Sequence, residues 1–489
     1  MRLLNRQAGM TLRLGFAALA LMGCGAAFVL AWRSHAAVNA AGPPSGFEVS
    51  FTPGSQDSAG RFMGGTEMRI LAAHAGRLYA GNGYWKDRPG PEGLQDAQIL
   101  VLDRPDGQWR VDHVFEERMP NGWARNLAVS VLGEVTFTTD ANGQRLASPV
   151  SMLVAATWDL TGDARVFTRD DADGAWTPAT LVNDPQGRGE HQLPQVRSFG
   201  VHRDAVTGVD YVFAGQDPHG IFRGAYDPTV PGRIRWSDAP ELDISTISLE
   251  AFPQLEGQLR ISSFAECDGR LYAAVGQQIY ERTDGAQPHW RLIYSNPRPG
   301  RSQTGLRGLT AVPDPAGGGQ ALIAAVEGSA ARIVRVDPRD GSEATDLDLR
   351  DFLGKAWGMP VGYAIAAYND MAAVHDPRGR DALLIGIEAF IPPAASLSEG
   401  HSVVDVGYAR LESGGWYLVR QPTGHYDLRR ISLLSGQPTA MVATRSILAS
   451  PFPKDGDAVY FAGYDANKAP AHDTAWIVRS TIAAAIGGS

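Results

Sequence analysis

One repeated unit constrains this chain more than any other feature. From residue 66 onward an apolar strand, a turn, a second strand, a loop and a third strand recur, often followed by a fourth strand carrying tryptophan. The second and third strands read LYAGNG…QILVLD (78–103), MLVAATWDLTGDARVFTR (152–169), YVFAGQDPHGIFRGAY (211–226) and LYAAVGQQIYER (271–282). LIAAVEGSAARIVRV (322–336), LLIGIEAF…GYARLE (383–412) and VYFAGYDANKAPAHDTAWIVRS (459–480) follow. First strands are expected at 68–74, 125–131, 196–202, 259–265, 306–312, 363–369 and 444–450, and fourth-strand tryptophans at Trp109, Trp176, Trp236, Trp290 and Trp416. No stretch keeps a 3.6-residue apolar period over an ordinary helix length, and Gly, Asp, Asn and Pro break the runs instead.

These strands are apolar on both faces, so each unit can bury its surface only against its neighbours. Units spaced by roughly 40–65 residues have the period of propeller blades. The pattern resembles the β-propeller superfamily from about residue 47 onward. That resemblance implies an all-β fold: a seven-bladed β-propeller of four-stranded antiparallel blades, with an N-terminal strand at 47–51 closing the ring. A β-sandwich or a tandem of small β domains is the rival, and the even repetition without a linker argues against it. The chain then divides into 1–36, a signal peptide or membrane anchor; 37–65, a segment holding the closing strand; 66–482, the propeller; and 483–489, a tail. The insertion at 391–407 reads as a loop. Neither the Gly-His…Trp-Asp repeat, the kelch double glycine, the sialidase box nor the quinoprotein Trp-docking pattern recurs, so no family lends its functional residues.

The N-terminus argues for export. Arg2, Arg6 and Arg13 precede an apolar stretch from Leu14 to Trp32, the signature of a secretory signal or an uncleaved anchor. Ser34-His35-Ala36 offers a cleavage site, Val38-Asn39-Ala40 a poorer one. Leu21-Met22-Gly23-Cys24 resembles a lipobox, but the sequence stays apolar for eight residues beyond Cys24. All three readings place the body in the periplasm or outside the cell. Of the 44 Lys and Arg, four (Arg2, Arg6, Arg13, Arg33) lie in 1–36, which holds no acid; the remainder carries 40 basic against 53 acidic residues, net −13 rather than −9. So acidic a body is a poor nucleic-acid binder. Its one thiol, Cys267, precedes an Asp-Gly turn and reads as a buried structural cysteine.

In such an architecture the inner-strand starts and the loops between second and third strands meet on one face. The inner-strand starts supply Glu67 and Arg69, Arg125 and Asn126, Arg197, Arg260, Arg307, Tyr363 and Arg445. The loops supply Asn82, Tyr84, Trp85, Asp87, Trp158, Asp159, Gln216, Asp217, His219, Gln277, Glu327, Glu388, His401, Asp465, Asn467 and His472. Arginine recurring at one repeat position suggests a funnel for an anion, because guanidinium forks match carboxylate, sulfate or phosphate oxygens. The bland alternative is a composition rich in arginine, with only four Lys in the chain, each arginine pairing with a neighbouring acid. His74, His202 and His375 fall at the opposite face and read as turn or surface residues.

Two function classes follow. The favoured one is an exported propeller binding an anionic small molecule, glycan or protein segment through Arg69, Arg125, Arg197, Arg260, Arg307, Arg445, Trp85, His219, Asp465 and His472, with membrane contact only through the N-terminal segment. The other is a lactonase-like hydrolase or lyase in which Glu67, Glu327, Glu388 and Asp465 hold Ca2+ or another divalent cation. No nucleophile elbow, His-Glu-x-x-His or EF-hand loop is present.

Overall fold

The computed structural model describes residues 46–84, 96–188, 192–247, 259–315, 317–391, 409–410, 415–433, 441–464 and 473–487. The export segment, the 391–407 insertion past its first residue, and Trp85, Asp87, His401, Asp465, Asn467 and His472 lie outside them. The chain splits into two units, Met1–Pro43 and Pro44–Ser489, and every described residue belongs to the second. No helix among the described residues is long and apolar enough to cross a membrane.

This unit is all-β, and its strands pair as consecutive antiparallel meanders. Glu67–His74, Arg77–Gly83, Gln98–Leu102 and Arg110–Val114 pair in chain order. So do Asn126–Thr139, Arg145–Asp159, Asp163–Arg169 and Trp176–Asn183. The same order repeats in Gln195–Arg203 through Ile234–Trp236, in Ile261–Cys267 through His289–Ser295, and in Leu306–Pro313 through Glu343–Asp348. In the next meander the inner strand is broken into Tyr363–Ala366 and Ala372–His375, both pairing with Asp381–Ile391. Trp416–Arg420 pairs directly with Asp381–Ile391, so Trp416 sits on a third strand, not the expected fourth. Finally Ala443–Ala449, Ala458–Tyr464 and Trp476–Thr481 pair in order, and Glu48–Phe51 from the N-terminus lies against Trp476–Thr481 with Val49 opposite Val478.

Turn chemistry sets these registers. His74 and Arg77 are joined through Ala75 (φ 48°) and Gly76 (φ 71°), and Cys267 and Arg270 through Asp268 (φ 47°) and Gly269 (φ 74°). Positive φ at both central residues is the two-residue hairpin whose twist matches its strands. Elsewhere an aspartate closes the turn, its Oδ1 accepting the N–H two residues on, as at Asp140, Asp204, Asp337 and Asp376. Much of the body's acidity is therefore local turn architecture. Cys267 is wholly buried, and burial pushes its thiol up to about 11.

Among the described residues two α-helical segments depart from the strand pattern. Leu349–Trp357 is a helix capped by Asp348, which accepts from the Asp351 N–H at 3.1 Å, and ended by Gly358 at φ 65°. Leu349 and Leu353 bury one helical turn apart, too short a stripe to register as a period. Near the end of the chain Ile482–Ala485 folds as a helical turn, with Ile482, Ala485 and Ile486 buried and the Ala485 carbonyl accepting from the Tyr417 hydroxyl at 2.9 Å.

Between meanders the same lock occurs twice. His74 places Nδ1 2.7 Å from Glu134 and Nε2 2.9 Å from Asp171, both on the following meander. Arg169, beside Asp171, forks onto Asp112 at 3.0 and 3.1 Å, and the Trp176 indole donates to the same carboxylate. Two meanders later His202 contacts Glu266 at 2.6 Å and Asp284 at 3.0 Å. Arg282 pairs with Glu241, Asp204 and Asp284, and Trp290 donates to Glu241. His74 and His202 are 2 % and 4 % exposed, which corrects the surface reading for both; His375 is the exposed one, beside Asp381. The expectation failed because the carboxylates that enclose each ring come from the neighbouring meander.

Candidate anion site

The inner strands share an irregularity at their starts. The register shifts between Met68 and Ile70, between Val196 and Ser198, and between Thr444 and Ser446, leaving Arg69, Arg197 and Arg445 as the extra residues. A bulge of this kind turns one side chain out of the pleat. Serines beside the shifts tie neighbouring inner strands together. Ser446 accepts from the Leu71 N–H at 3.0 Å, Ser198 donates to the Ile261 carbonyl at 2.8 Å, and Ser263 accepts from the Leu309 N–H at 3.0 Å. These bonds satisfy main-chain groups that face no strand partner.

Arg260 and Arg307, at the starts of the fourth and fifth meanders, complete a cluster. Arg69 lies close enough to Arg445 and Arg197 for their charges to act on it; Arg197 is similarly coupled to Arg260 and Arg307. Glu67 takes Arg69 at 3.0 Å through one oxygen and Arg445 at 3.1 Å through the other. Asp217 accepts from Arg197 Nε at 2.7 Å and from the Ile261 N–H. Glu327 is shared by Arg307 and the Tyr363 hydroxyl. Glu388 instead receives the hydroxyls of Tyr368 and Tyr464. Tyr368 lies between two guanidinium groups, Arg445 at 4.5 Å and Arg307 at 5.0 Å from its ring centre. Among the described residues five guanidinium groups thus gather with four carboxylates, one of them held by tyrosines.

Burial dominates the ionisation of the cluster. Desolvation, with repulsion from neighbouring arginines, holds Arg69 and Arg197 well below the ordinary guanidinium range, to about 9, against the pull of their carboxylates. Desolvation also lifts Asp217 to about 6 despite Arg197. Glu327 is the reverse case: burial opposes its charge, but Arg307 and Tyr363 outweigh it and keep the carboxyl below its usual range. Two glycines let the chain pass close by. A Cβ on Gly305 (φ 97°) would lie 2.3 Å from the Gly276 carbonyl oxygen, and one on Gly328 (φ 122°) 2.0 Å from that of Arg301.

Not every expected residue joins this cluster. Arg125 turns to Asp159 at 2.8 Å and to Asp163 and Glu117, the paired outcome. His219 packs on Asp184 at 3.1 Å. Asn82 and Tyr84 form a buried network with Gln98. Glu67, Glu327 and Glu388 are each engaged by Arg or Tyr, and among the described residues no group of three or more His, Cys, Asp or Glu is placed to hold a metal. Reading the sequence alone missed Tyr368, Tyr464 and Thr304, whose Oγ1 accepts from Arg260 at 2.8 Å and Arg307 at 2.7 Å. Tyr464 ends a second strand, as Asp217 does, and that shared position was the available signal.

No protein-family model matches the chain, and a search of curated proteins returns no match. Among solved structures it is similar to the crystal structure of puromycin hydrolase, at 12 % identity and a TM-score of 0.40, over 86 % of this chain and 52 % of that one. The chain therefore spans about half the length of that protein. It is also similar to a protein assigned as an exo-beta-1,3-galactanase from Bifidobacterium bifidum s17, at 13 % identity and a TM-score of 0.30, over 61 % of this chain and 96 % of that one.

Proposed function

We propose that the chain is an exported seven-bladed β-propeller that binds a small anionic molecule, or the anionic group of a glycan or protein segment, at the arginine cluster. Support for the ring comes from the meanders packing in succession, with Ala443–Ala449 lying against Glu67–His74 and the N-terminal strand supplying the fourth strand of the last blade. Export rests on the charge and hydropathy of residues 1–36. The observation that carries the binding reading is the convergence of five guanidinium groups in a desolvated place, where repulsion among them acts on Arg69 and Arg197 and an oxyanion would relieve it. An acidic body that gathers five arginines in one desolvated place sets there a group of oxyanion donors that its net charge does not suggest.

Thermal unfolding in sulfate against chloride at equal ionic strength tests this. A ligand that binds only the folded state raises the midpoint with concentration. The expected result is a sulfate-dependent rise that Arg197→Ala abolishes. An identical rise in the variant would mean sulfate acts by exclusion from the general surface.

A further inference from the structure

An open cleft of about 660 Å³ lies at the end of the fifth meander. Its first wall is the loop between Gln320–Val326 and Arg332–Val336, which carries Glu327 in the arginine cluster and then Ala330 and Ala331 on the cleft. A second wall is one face of the helix Leu349–Trp357. Asp348, Asp351, Lys355 and Gly358 recur on it three or four residues apart, on the side away from the buried Leu349 and Leu353. Met359 and Pro360 add an apolar border. Arg350 ties the walls together: its Nε donates to the Val361 carbonyl at 2.7 Å and its Nη1 to the Ser329 carbonyl. Main-chain acceptors fix a guanidinium without neutralising it. Among the described residues Nη2 has no partner and no carboxylate pairs with Arg350. The other cations on the cleft are taken: Lys355 by Asp351 at 2.6 Å, and Arg298 and Arg332 by Glu343 at 3.0 and 3.4 Å. Asp348 accepts the Asp351 N–H through Oδ1, and its Oδ2 has no partner among the described residues. Gly354 keeps the cleft open, since a Cβ there would meet only the Met359 carbonyl oxygen, at 3.3 Å.

We propose that this cleft is a ligand site separate from the arginine cluster, and that it takes a sugar acid. The carboxylate meets Arg350, a hydroxyl donates to Asp348 Oδ2, and the ring lies against Met359 and Pro360. A guanidinium pinned by two carbonyls has already given up the side-chain freedom that binding would otherwise cost, and it offers an oxyanion a charge-assisted bond. An inorganic anion would fill little of the cleft and leave Asp348 unused, whereas a hydroxylated carboxylate engages both charges. The proposal stands whether or not the cluster binds an anion.

The test is calorimetric titration of the intact protein at pH 7.5 with glucuronate, with glucose as the uncharged control and acetate as the control without hydroxyls. Glucuronate is expected to bind at a saturable site, more tightly than acetate, and glucose to give no saturable heat. Arg350→Gln is expected to weaken glucuronate about tenfold or more, the scale of a hydrogen bond to a charged group. Gly354→Leu fills the cleft and leaves every charge in place, so it gives the same loss should Arg350→Gln disturb the fold; thermal unfolding checks both variants. Arg197→Ala, in the cluster, is expected to leave this binding in place. Absence of saturable glucuronate binding, equal affinity for acetate, binding that survives both cleft variants, or binding that Arg197→Ala removes overturns the proposal. The last of these results would assign the glucuronate heat to the arginine cluster and leave that site standing.

Discussion

The two ends of the inner strands use the same residue types to opposite effect. At the His74 and His202 end, each histidine lies between two carboxylates, and each arginine pairs with at least two. Arg282 and Asp204 are both completely buried and saturated. At the other end, among the described residues, five arginines gather with four carboxylates, and burial and mutual repulsion hold Arg69 and Arg197 below the ordinary guanidinium range. Saturated pairs hold neighbouring meanders together; an unsaturated cluster leaves attraction for something else. Composition alone cannot separate the two, because arginine is plentiful in both.

The largest effect should come from breaking a saturated lock. Arg282→Ala leaves Glu241, Asp204 and Asp284 facing one another in a buried place and is expected to lose about 3–5 kcal/mol in urea denaturation. His74→Gln and His202→Gln should each cost about 1–2 kcal/mol, by removing one of two bonds to carboxylates. Their equality would establish that the two locks are equivalent. Arg197→Ala should behave differently: stability within about 1 kcal/mol of the parent, because repulsion is removed together with one ion pair. A loss as large as that of Arg282→Ala would erase the distinction between the two ends.

A pH series sharpens the comparison. Asp217 is lifted to about 6 in the folded chain from an ordinary 3.8. Its folded form therefore binds a proton more readily than the unfolded chain, and its effect on stability is unfavourable once pH rises through 4 to 6. For binding the sign is the same. Below about 6 the carboxyl is neutral, Arg197 is released and the cluster gains positive charge, so sulfate should bind more tightly at pH 5 than at pH 7. Asp217→Asn should flatten that profile. The smallest effect belongs to exposed pairs such as Lys355 with Asp351: Lys355→Ala should change stability by less than about 0.5 kcal/mol.

Much of the strand plan was legible in the sequence. Apolar runs without alternation and Gly or Asp turns placed the inner strands within a few residues, as at 196–202 against Gln195–Arg203. That arginines gather at their starts was legible too. Which arginines stay unsaturated was not, since that depends on carboxylates at second-strand ends and on bulges that show only when strands are paired. Arg125 lies two residues before the extra residue of its own strand, Leu127, and Asp159 and Asp163 capture it. The histidine locks were hidden because Glu134 and Asp171 lie 60 and 97 residues beyond His74.

The central claim is that the guanidinium cluster is a binding site and not surplus structural charge. Calorimetric titration of acetate and of sulfate into the intact protein at low ionic strength, repeated on Arg197→Ala, tests it most directly. One saturable site is predicted, with affinity for both anions that falls at least tenfold in the variant while the variant stays folded. Absence of saturable heat in the parent, or equal affinity in both proteins, would contradict it.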